Sequence, residues 1–380
     1  MAGLYLHIPF CKQACHYCDF HFSTSLKERK LMVAAICKEL EIQKNYLGGE
    51  PLETVYFGGG TPSLLQKADH AKIFDSIHKN FVVLDGAEIT LEANPDDLNR
   101  ENLKMLKELG VNRLSIGIQS FDDRVLRFLN RAHSAAEGSG CVRLAREVGF
   151  HNISIDLIYA IPGQDEIVWG KNIEQAISIF PEHISAYALT IEEKTVFGNW
   201  LKSGRLNAAP DEVAASQMEV LITLLGAAGY EHYEISNFSK PDLHARHNSN
   251  YWKQRRYLGV GPSAHSYNTE SRQYNIKNNS FYVKAIAQGH VPFEKEVLSR
   301  ADHINEYLLT TLRTSWGCDL GYLAKRFDFD LLKEKGKEFR QFQELLLLER
   351  NGDVILLTQK GKLLADKIAA DFFVDKIESN

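Results

Sequence analysis

The sequence predicts an α/β fold in which a parallel β-sheet carries helices on its faces. Its 380 residues are 44% hydrophobic and 24% charged, as in ordinary globular proteins. That length exceeds the size at which a single core keeps growing, so we expect one large domain and one smaller domain. Short apolar stretches alternate with longer amphipathic ones, which is the pattern of βαβ units. The six predicted strands are Leu4–Ile8, Thr54–Phe57, Ile89–Leu91, Arg113–Ile118, Ile153–Ile158 and Ile184–Leu189.

Helical periodicity fills the segments between these strands. The first apolar stripe runs from Leu31 to Ile42 and stops at Gly48 and Gly49. Because parallel sheets bind ligands at the carboxyl ends of their strands, we expect the functional site at that edge. The other predicted helices cover residues 100–109, 123–129, 135–148, 167–179 and 211–228.

Three cysteines follow the first predicted strand at C-x3-C-x2-C spacing: Cys11, Cys15 and Cys18. Thiolates are the ligands of iron–sulfur clusters, and a [4Fe–4S] cube normally takes four of them. Phe20 stands where a fourth cysteine would continue the run, which would leave one iron open to a small molecule. Zinc is the competing metal, but its structural sites close four ligands at other spacings. Three cysteines also cannot all pair as disulfides. The isolated cysteines are predicted to be small buried hydrophobes: Cys37, Cys141 and Cys318.

Polar or side-chain-free groups lie at the ends of other predicted strands. A triple glycine, Gly58–Gly60, follows the second strand, and its backbone can approach a ligand closely. Glu92, Gln119 and Asp156 stand at or near the ends of the third, fourth and fifth strands. A single carboxylate is more often a helix cap or a surface ion pair. Together, however, these residues place polar groups from several strands around one mouth.

Composition limits the classes of partner. The net charge is −5, so no chain-wide basic field attracts nucleic acid. No apolar run approaches the roughly twenty residues that span a bilayer, and the N-terminus lacks the features of a signal peptide. The sequence therefore predicts a cytoplasmic protein with no nucleic-acid partner and no integral membrane segment, in a compartment where thiols stay reduced.

The cysteine loop, with Tyr17 just before its last cysteine, resembles that of the radical S-adenosylmethionine (SAM) superfamily. The wider string HIPFCKQACHYCDF resembles the coproporphyrinogen III oxidase-like family within it. This resemblance implies a partial (β/α)6 TIM-like barrel, a [4Fe–4S] cluster on the three cysteines, and SAM chelated by the open iron. It also implies that the triple glycine holds the SAM amino group, Arg131 pairs with the carboxylate, and Asp156 lies near the ribose. The SAM-contacting residues that it implies are Tyr5, Tyr17, Gly59, Gly60, Thr61, Glu92, Gln119, Arg131 and Asp156.

A second informative stretch is HNSNYW at residues 247–252, which follows a predicted strand at Tyr230–Phe238. An imidazole beside flat aromatic surface suits heme, whose iron takes imidazole and whose macrocycle packs on aromatic rings. From the residues alone, a hydrogen-bonded histidine in an ordinary loop is the simpler interpretation. The stretch matches the HNxxYW motif of the heme-chaperone branch of the family, which implies heme bound by His247. The segment Leu258–Tyr267 is also family-like, but His265 within it receives no role.

The C-terminal region changes to short amphipathic helices. An Asn-Gly pair at residues 351–352 lies between the apolar runs 345–348 and 354–357, which predicts a β-hairpin. Thr358 is predicted to cap a closing helix at residues 361–368. The other predicted helices of this region cover residues 305–313, 320–327 and 339–345.

Helices followed by a two-stranded wing resemble a winged-helix domain, as found at the C-terminus of this family. The predicted domains are residues 1–300, a radical SAM barrel with an extension that carries HNxxYW, and residues 301–380, a winged-helix-like domain. We interpret the second domain as a cover for the barrel mouth, because this fold does not by itself fix a function.

Two functions fit the resemblance. The leading one is a heme chaperone that binds heme, a [4Fe–4S] cluster and SAM and delivers heme to acceptor proteins. The alternative is the oxygen-independent coproporphyrinogen III dehydrogenase, which decarboxylates two propionates by hydrogen abstraction. Phe20 in place of a fourth cysteine favours the chaperone, as do the mere ten residues before Cys11. A radical SAM enzyme acting on RNA is disfavoured by the acidic balance. Acceptor proteins and a homodimer are further partners that this interpretation allows.

Overall fold

The computed structural model describes residues 1–375, and its centre is a run of six parallel strands. Neighbouring strands in this run follow one another in chain order, and each pair is parallel. Because helices cover the sheet, the strands are apolar along most of their length. The six predicted strands are confirmed, several with longer bounds: β1 Ala2–Ile8, β2 Leu52–Gly59, β3 Val83–Ala93, β4 Arg113–Gln119, β5 Ile153–Tyr159 and β6 His183–Ala188.

Helices connect these strands, and the predicted ones are confirmed within one or two residues. The helix at 135–148 has its predicted ends because Ser134 and Glu137 form a capping box, and Gly149 ends it with a left-handed backbone (φ 96°). The helix at 67–80 is an addition that the sequence analysis did not predict. The helices of this part are α1 Arg29–Ile42, α2 Lys67–Asn80, α3 Arg100–Glu108, α4 Asp123–Phe128, α5 Ala135–Val148, α6 Glu166–Ser178, α7 Val196–Lys202 and α8 Asp211–Ala227.

Six further strands extend the sheet at both sides to twelve. The order is β12-β11-β10-β9-β1-β2-β3-β4-β5-β6-β8-β7, so the sheet is open and its parallel half forms the predicted partial barrel. The added strands are β7 Glu231–Glu234, β8 Asn237–Ser239, β9 Tyr257–Val260, β10 His265–Tyr267, β11 Ser271–Asn275 and β12 Phe293–Val297.

Two local predictions for the extension are wrong. The predicted strand Tyr230–Phe238 is a hairpin of β7 and β8, because the carboxylate of Glu234 accepts hydrogen bonds from Ser236 N (3.1 Å) and Asn237 Nδ2 (2.5 Å) and turns the chain. The HNSNYW stretch forms a helix, α9 Arg246–Trp252, where the residues alone favoured a loop. A further helix in this part is α10 Asn279–Ala287.

A buried carboxylate fastens the extension to the barrel. Glu39 of α1 accepts hydrogen bonds from Gly261 N (2.8 Å), Asn275 Nδ2 (2.7 Å) and Tyr282 OH (2.5 Å). Buried carboxylates are stable when their oxygens are satisfied in this way. The contacts hold the segment after β9, the end of β11 and α10 against α1, while β9 itself pairs with β1.

The C-terminal region has its own hydrophobic cluster, built from residues between Ile304 and Phe372. The predicted hairpin is confirmed, and Thr358 caps a helix by accepting from Gly361 N (3.0 Å). The predicted closing helix is two short helices. The division at residues 300/301 stays a prediction, and residues 376–380 lie outside the described part of the chain. The elements are α11 Arg300–Leu312, β13 Cys318–Asp319, α12 Leu320–Phe327, α13 Leu331–Glu334, α14 Gly336–Glu344, β14 Leu348–Asn351, β15 Val354–Leu357, α15 Gln359–Lys362 and α16 Ala365–Asp371.

Arg313, directly after α11, joins this region to the extension. Its Nε lies 2.6 Å from Glu234 Oε1, and its guanidinium stacks 4.6 Å from the ring centre of Trp252. Helix α11 therefore lies next to the HNSNYW helix. Within residues 1–375, no helix has both the length and the apolar character needed to cross a bilayer.

Candidate functional site

The loop after β1 holds the three motif cysteines as half-buried, unpaired thiols. Backbone hydrogen bonds fix this loop on both sides. Cys11 N donates to Ser23 O (3.1 Å), and His16 N donates to Leu129 O (3.1 Å). His16 O in turn accepts from Phe197 N (3.0 Å), the first turn of α7. The loop therefore keeps its shape without helical structure of its own.

The chemistry of these thiols fits a cluster. Burial, followed by the nearby Cys15 and Cys11, raises the pKa of the Cys18 thiol to about 12, and burial also raises the pKa of Cys11. Bound metal supplies the positive charge that thiolates need in such surroundings. Among residues 1–375, no three His, Cys, Asp or Glu side chains converge on one ion, as a mononuclear zinc site requires. A cube makes a different demand, because each cysteine binds its own iron.

A hydrogen-bond network connects two of the thiols. Arg131 Nη1 donates to Cys15 Sγ (3.4 Å) and Nη2 donates to Asn94 Oδ1 (2.6 Å). Asn94 Nδ2 donates to Thr61 Oγ1 (3.2 Å), whose hydroxyl donates to Cys11 Sγ (3.5 Å). The Nε of Arg131 is buried without a partner in the described structure. An orphaned guanidinium N–H in a buried setting calls for an anionic ligand, such as the SAM carboxylate.

Two acidic side chains face the same interior. Glu92 accepts from Tyr56 OH (2.8 Å) and Gly59 N (3.2 Å), and Asp156 accepts from Ser115 Oγ (3.4 Å). Burial raises the pKa of Glu92 to about 7 and that of Asp156 to about 6. Neither is a helix cap or a surface ion pair. A cationic ligand, such as the sulfonium and ammonium of SAM, would offset the cost of these charges.

The triple glycine supports the cysteine loop. Gly60 N donates to Ile8 O (2.9 Å) and Thr61 N donates to Phe10 O (2.6 Å). A Cβ on Gly60 would lie 2.6 Å from Phe10 O, so only glycine fits there. Its predicted role toward the SAM amino group stays a prediction.

The remaining predicted SAM contacts lie around the same interior. Tyr17 packs against the buried apolar cluster that contains Leu129 and Phe197, and burial raises its pKa above the usual range. Gln119 has a left-handed backbone (φ 66°), a strained conformation that is frequent at functional sites. Tyr5 lies beside both Tyr56 and His247, whose own rings stack with centres 4.9 Å apart. We refer to Cys11, Cys15, Cys18, Glu92 and Arg131 with these neighbours as the strand-end site.

His247, the predicted heme ligand, is 2% exposed. Its Nδ1 lies 2.8 Å from Thr54 Oγ1, and its Nε2 lies 2.8 Å from Tyr251 OH. Its backbone N–H donates to Glu88 Oε1 (3.0 Å). Burial lowers its pKa to about 3, so the imidazole is neutral. Ligation of iron by His247 stays a prediction, and it would require Tyr251 to give up its hydrogen bond.

A cavity of about 620 Å³ opens beside the HNSNYW helix, within the size range of small-molecule sites. Of the predicted SAM contacts, Tyr5 also lines it. Its walls come from the cysteine loop, α9, β9 to β11 and α11. We call it the aromatic cavity. Its lining residues are Tyr5, His7, Asp19, Phe20, His21, Tyr251, Trp252, Gln254, Arg255, Tyr257, Ser263, His265, Tyr267, Arg272, Lys277, Glu306, Leu309 and Thr310.

The sequence analysis did not predict several residues of the strand-end site and the aromatic cavity. Tyr56 and Asn94 stand within or just after strands, in the same segments as the predicted Gly58–Gly60 and Glu92, so their position was a usable signal. Lys277 offered no signal, because it comes near only when β11 folds back beside the cysteine loop.

Comparisons with known proteins agree with the fold. The family model described as the radical SAM superfamily matches residues 5–173, and that of the HemN C-terminal domain matches residues 298–364. Coproporphyrinogen III oxidase (HemN) from Escherichia coli has the same fold, with a TM-score of 0.85 at 23% identity over 98% of this chain and 90% of that one.

Curated relatives extend over nearly the full length. Heme chaperone HemW from Bacillus subtilis is 35% identical, covering 98% of this chain and 99% of the relative. Heme chaperone HemW from Mycobacterium tuberculosis (strain ATCC 25618 / H37Rv) is 34% identical, covering 96% and 93%. HemW from Escherichia coli is 37% identical over 69% of each chain. The chain therefore belongs to the radical SAM superfamily and, within its coproporphyrinogen III oxidase-like family, to the HemW branch.

Proposed function

We propose that this protein is a heme chaperone that binds heme in the aromatic cavity and passes it to acceptor proteins. The observation that carries the proposal is the lining of that cavity. It combines flat rings, such as Tyr251, Trp252 and Tyr267, with the cations Arg255 and Lys277. Heme has a flat apolar macrocycle and two anionic propionates, so these groups are complementary to it. Near full-length relatives named as heme chaperones support the same function.

Membership of the radical SAM superfamily implies a [4Fe–4S] cluster and SAM. We propose that Cys11, Cys15 and Cys18 hold the cluster, and that Arg131 and Glu92 contact SAM. When bound, the cluster and SAM supply one-electron chemistry.

At the strand-end site, the protein's own residues position the cluster ligands and exclude water. Arg131 orients the Cys15 thiol, and its Nε–H, which has no partner in the described structure, can donate to an anion. The ring of Phe128 stacks on Phe197 with centres 4.8 Å apart, beside the cysteine loop. This aromatic cover limits the access of water from the side of α4 and α7.

The alternative function is oxygen-independent coproporphyrinogen III oxidation. The fold that this chain shares with HemN fits either function, since one fold hosts several activities. Phe20 favours the chaperone, because it lines the aromatic cavity with 67% of its surface exposed and offers no ligand.

The test begins with anaerobic reconstitution of the cluster and addition of SAM. Hemin is then titrated by its Soret absorption, and coproporphyrinogen III is supplied in a separate assay for protoporphyrinogen IX. We expect saturable hemin binding and no product. Steady product formation would overturn the proposal and support the alternative.

A pair of variants tests the place of binding. Leu309→Glu puts a carboxylate into the aromatic cavity, where it repels propionates, so hemin affinity should fall about tenfold, equivalent to about 1.4 kcal/mol. Leu201→Glu is the matched control, because Leu201 is similarly exposed (39% against 36%) and lies outside the cavity lining. Equal hemin affinity in both variants would contradict binding in this cavity.

Delivery to acceptor proteins, a homodimeric state and a cytoplasmic location complete the proposal. The delivery step is supported by the name of the relatives, heme chaperone, whereas the homodimeric state and the location are proposed from the sequence alone. Pull-down of heme-loaded protein with candidate acceptors, followed by the heme spectrum of each acceptor, tests the delivery step.

A further inference from the structure

Three imidazoles line the aromatic cavity and a fourth, that of His247, lies next to it. The four rings differ in the hydrogen bonds that they make. His7 uses both ring nitrogens, with Tyr5 OH 3.2 Å from Nδ1 and His21 O 2.8 Å from Nε2. His247 also uses both, as described above. His21 uses Nε2, which lies 2.7 Å from Asn279 Oδ1. Three of the four rings are thus committed wholly or in part to the protein.

The fourth imidazole, His265, is different. It is exposed, lines the aromatic cavity, and makes no ring hydrogen bond within the described residues. Its ring stacks on Tyr274 with centres 5.6 Å apart, which limits its rotation on strand β10. A neutral imidazole with a free nitrogen, held on a strand and facing an aromatic cavity, is a ready axial ligand for heme iron.

The cationic side chains of the cavity also differ in whether they are already paired within the protein. Arg272 is paired with Glu306, with Nη2 and Oε1 2.8 Å apart. Lys277 and Arg255 are exposed and have no side-chain partner within residues 1–375. Two unpaired cations match the two propionates of a heme. Because these cations are exposed and form no ion pair in the protein, binding a propionate does not require an existing pair to be broken.

We infer that His265 presents the axial imidazole to the iron of a heme in the aromatic cavity, with Lys277 and Arg255 binding the propionates. This inference rests on the proposed function and adds the residues that would make the contacts. His247 then acts as a positioning residue. Its bonds to Thr54 and Tyr251, with the backbone bond to Glu88, hold α9 against β2 and β3 and so place Tyr251 and Trp252 in the cavity wall.

Hemin and metal-free protoporphyrin IX serve as the two probes, since only hemin can accept an axial ligand. For His265→Ala, we expect a shifted Soret band and about tenfold weaker hemin binding, with protoporphyrin IX binding unchanged. Added imidazole should restore the wild-type Soret band. His290→Ala is the matched control, because His290 is exposed on the same extension and lies outside the cavity.

Variants of the other residues sharpen the test. His247→Gln should weaken both probes equally, leave the Soret position of bound hemin unchanged, and not respond to imidazole. Lys277→Gln and Arg255→Gln should each weaken hemin binding by about two- to fivefold but leave binding of hemin dimethyl ester unchanged, because the ester has no propionate charge.

The outcomes separate this inference from the proposed function. If wild-type protein binds neither hemin nor protoporphyrin IX, the proposed function fails, and the inference fails with it. If wild-type protein binds hemin but His265→Ala gives the same spectrum and affinity, the heme chaperone stands and the inference is overturned. A spectral shift in His247→Gln or His21→Ala, without one in His265→Ala, would assign the ligand to that residue and likewise overturn it.

Discussion

The strand-end site and the aromatic cavity differ in how their polar groups are paired. At the strand-end site, Arg131, Asn94 and Thr61 link two thiols through continuous hydrogen bonds. In the aromatic cavity, His265 and Lys277 have no side-chain hydrogen bonds within residues 1–375. A preorganised network favours a resident cofactor, because loss of the ligand leaves buried groups unsatisfied. Exposed groups return to water at little cost, which suits a ligand that is taken up and released.

The two places also differ in how the chain builds them. The residues of the strand-end site lie in the parallel strands or in the segments that follow them, with Arg131 placed after α4. The cavity takes its walls from the cysteine loop, the extension and α11, which lie far apart in the sequence. The first site is therefore a consequence of the barrel topology, whereas the second depends on how the added strands fold back.

The largest expected effect is on the cluster. Cys15→Ala removes a thiolate that no other cysteine can replace, so most of the visible absorption and iron content of reconstituted protein should be lost. Cys37→Ala is the control, because Cys37 is also half-buried but lies on α1 and donates to Lys72 O. A full cluster in Cys15→Ala would show that the strand-end site is not the cluster site.

The next largest effect concerns SAM. Arg131→Ala removes the guanidinium that the proposal pairs with the SAM carboxylate, and loss of a charge-assisted hydrogen bond weakens binding by roughly ten- to a hundredfold. Arg127→Ala is the control, since Arg127 is an exposed arginine on the neighbouring helix α4. Isothermal titration of reconstituted protein with SAM measures both, after visible absorption has shown equal cluster content. Equal dissociation constants would place the SAM carboxylate elsewhere.

The acidic pair predicts a pH effect on stability. Burial raises the pKa of Glu92 from 4.5 to about 7 in the folded protein. Between those pH values the folded state keeps a proton that the unfolded state has released, so the free energy of unfolding falls as pH rises through this window. In Glu92→Gln this fall should be smaller by about 2 kcal/mol. Urea unfolding of cluster-free protein at pH 5 and pH 8 measures it.

The same experiment has a control and a contrary outcome. Glu212→Gln changes an exposed carboxylate at the start of α8, so its pH dependence should match that of the wild type. If Glu92→Gln also matches the wild type, the charge of Glu92 is tolerated without a cation, and the fit of the strand-end site to a cationic ligand is lost.

The sequence predicted the first of the two places much better than the second. The six strands and the residues at their ends could be predicted because βαβ order forces carboxyl ends to one edge. Strands β9 to β12 were missed because they have three to five residues each. Strand β9 pairs in parallel with β1, and β10 to β12 form antiparallel pairs at one side of the sheet. The accessibility of His265 and the burial of His247 depend on that packing. The HNxxYW motif therefore indicated the region of the site but not which imidazole lacks a hydrogen-bond partner.

The smallest expected effect lies where the two places meet, at Phe20. Phe20→Cys adds the fourth cysteine that is typical of the coproporphyrinogen-oxidising enzymes. We expect unchanged cluster absorption, because three thiolates already serve the proposed cluster, and still no protoporphyrinogen IX. Hemin affinity should fall only severalfold, since a largely exposed ring loses part of its apolar contact, about 25 cal/mol per Å². Leu26→Cys, at a residue 41% exposed just beyond the same loop and outside the cavity lining, controls for the added thiol. Product formation by Phe20→Cys would mean that one residue separates chaperone from enzyme, and that the aromatic cavity already holds the oxidisable propionates within reach of the strand-end site.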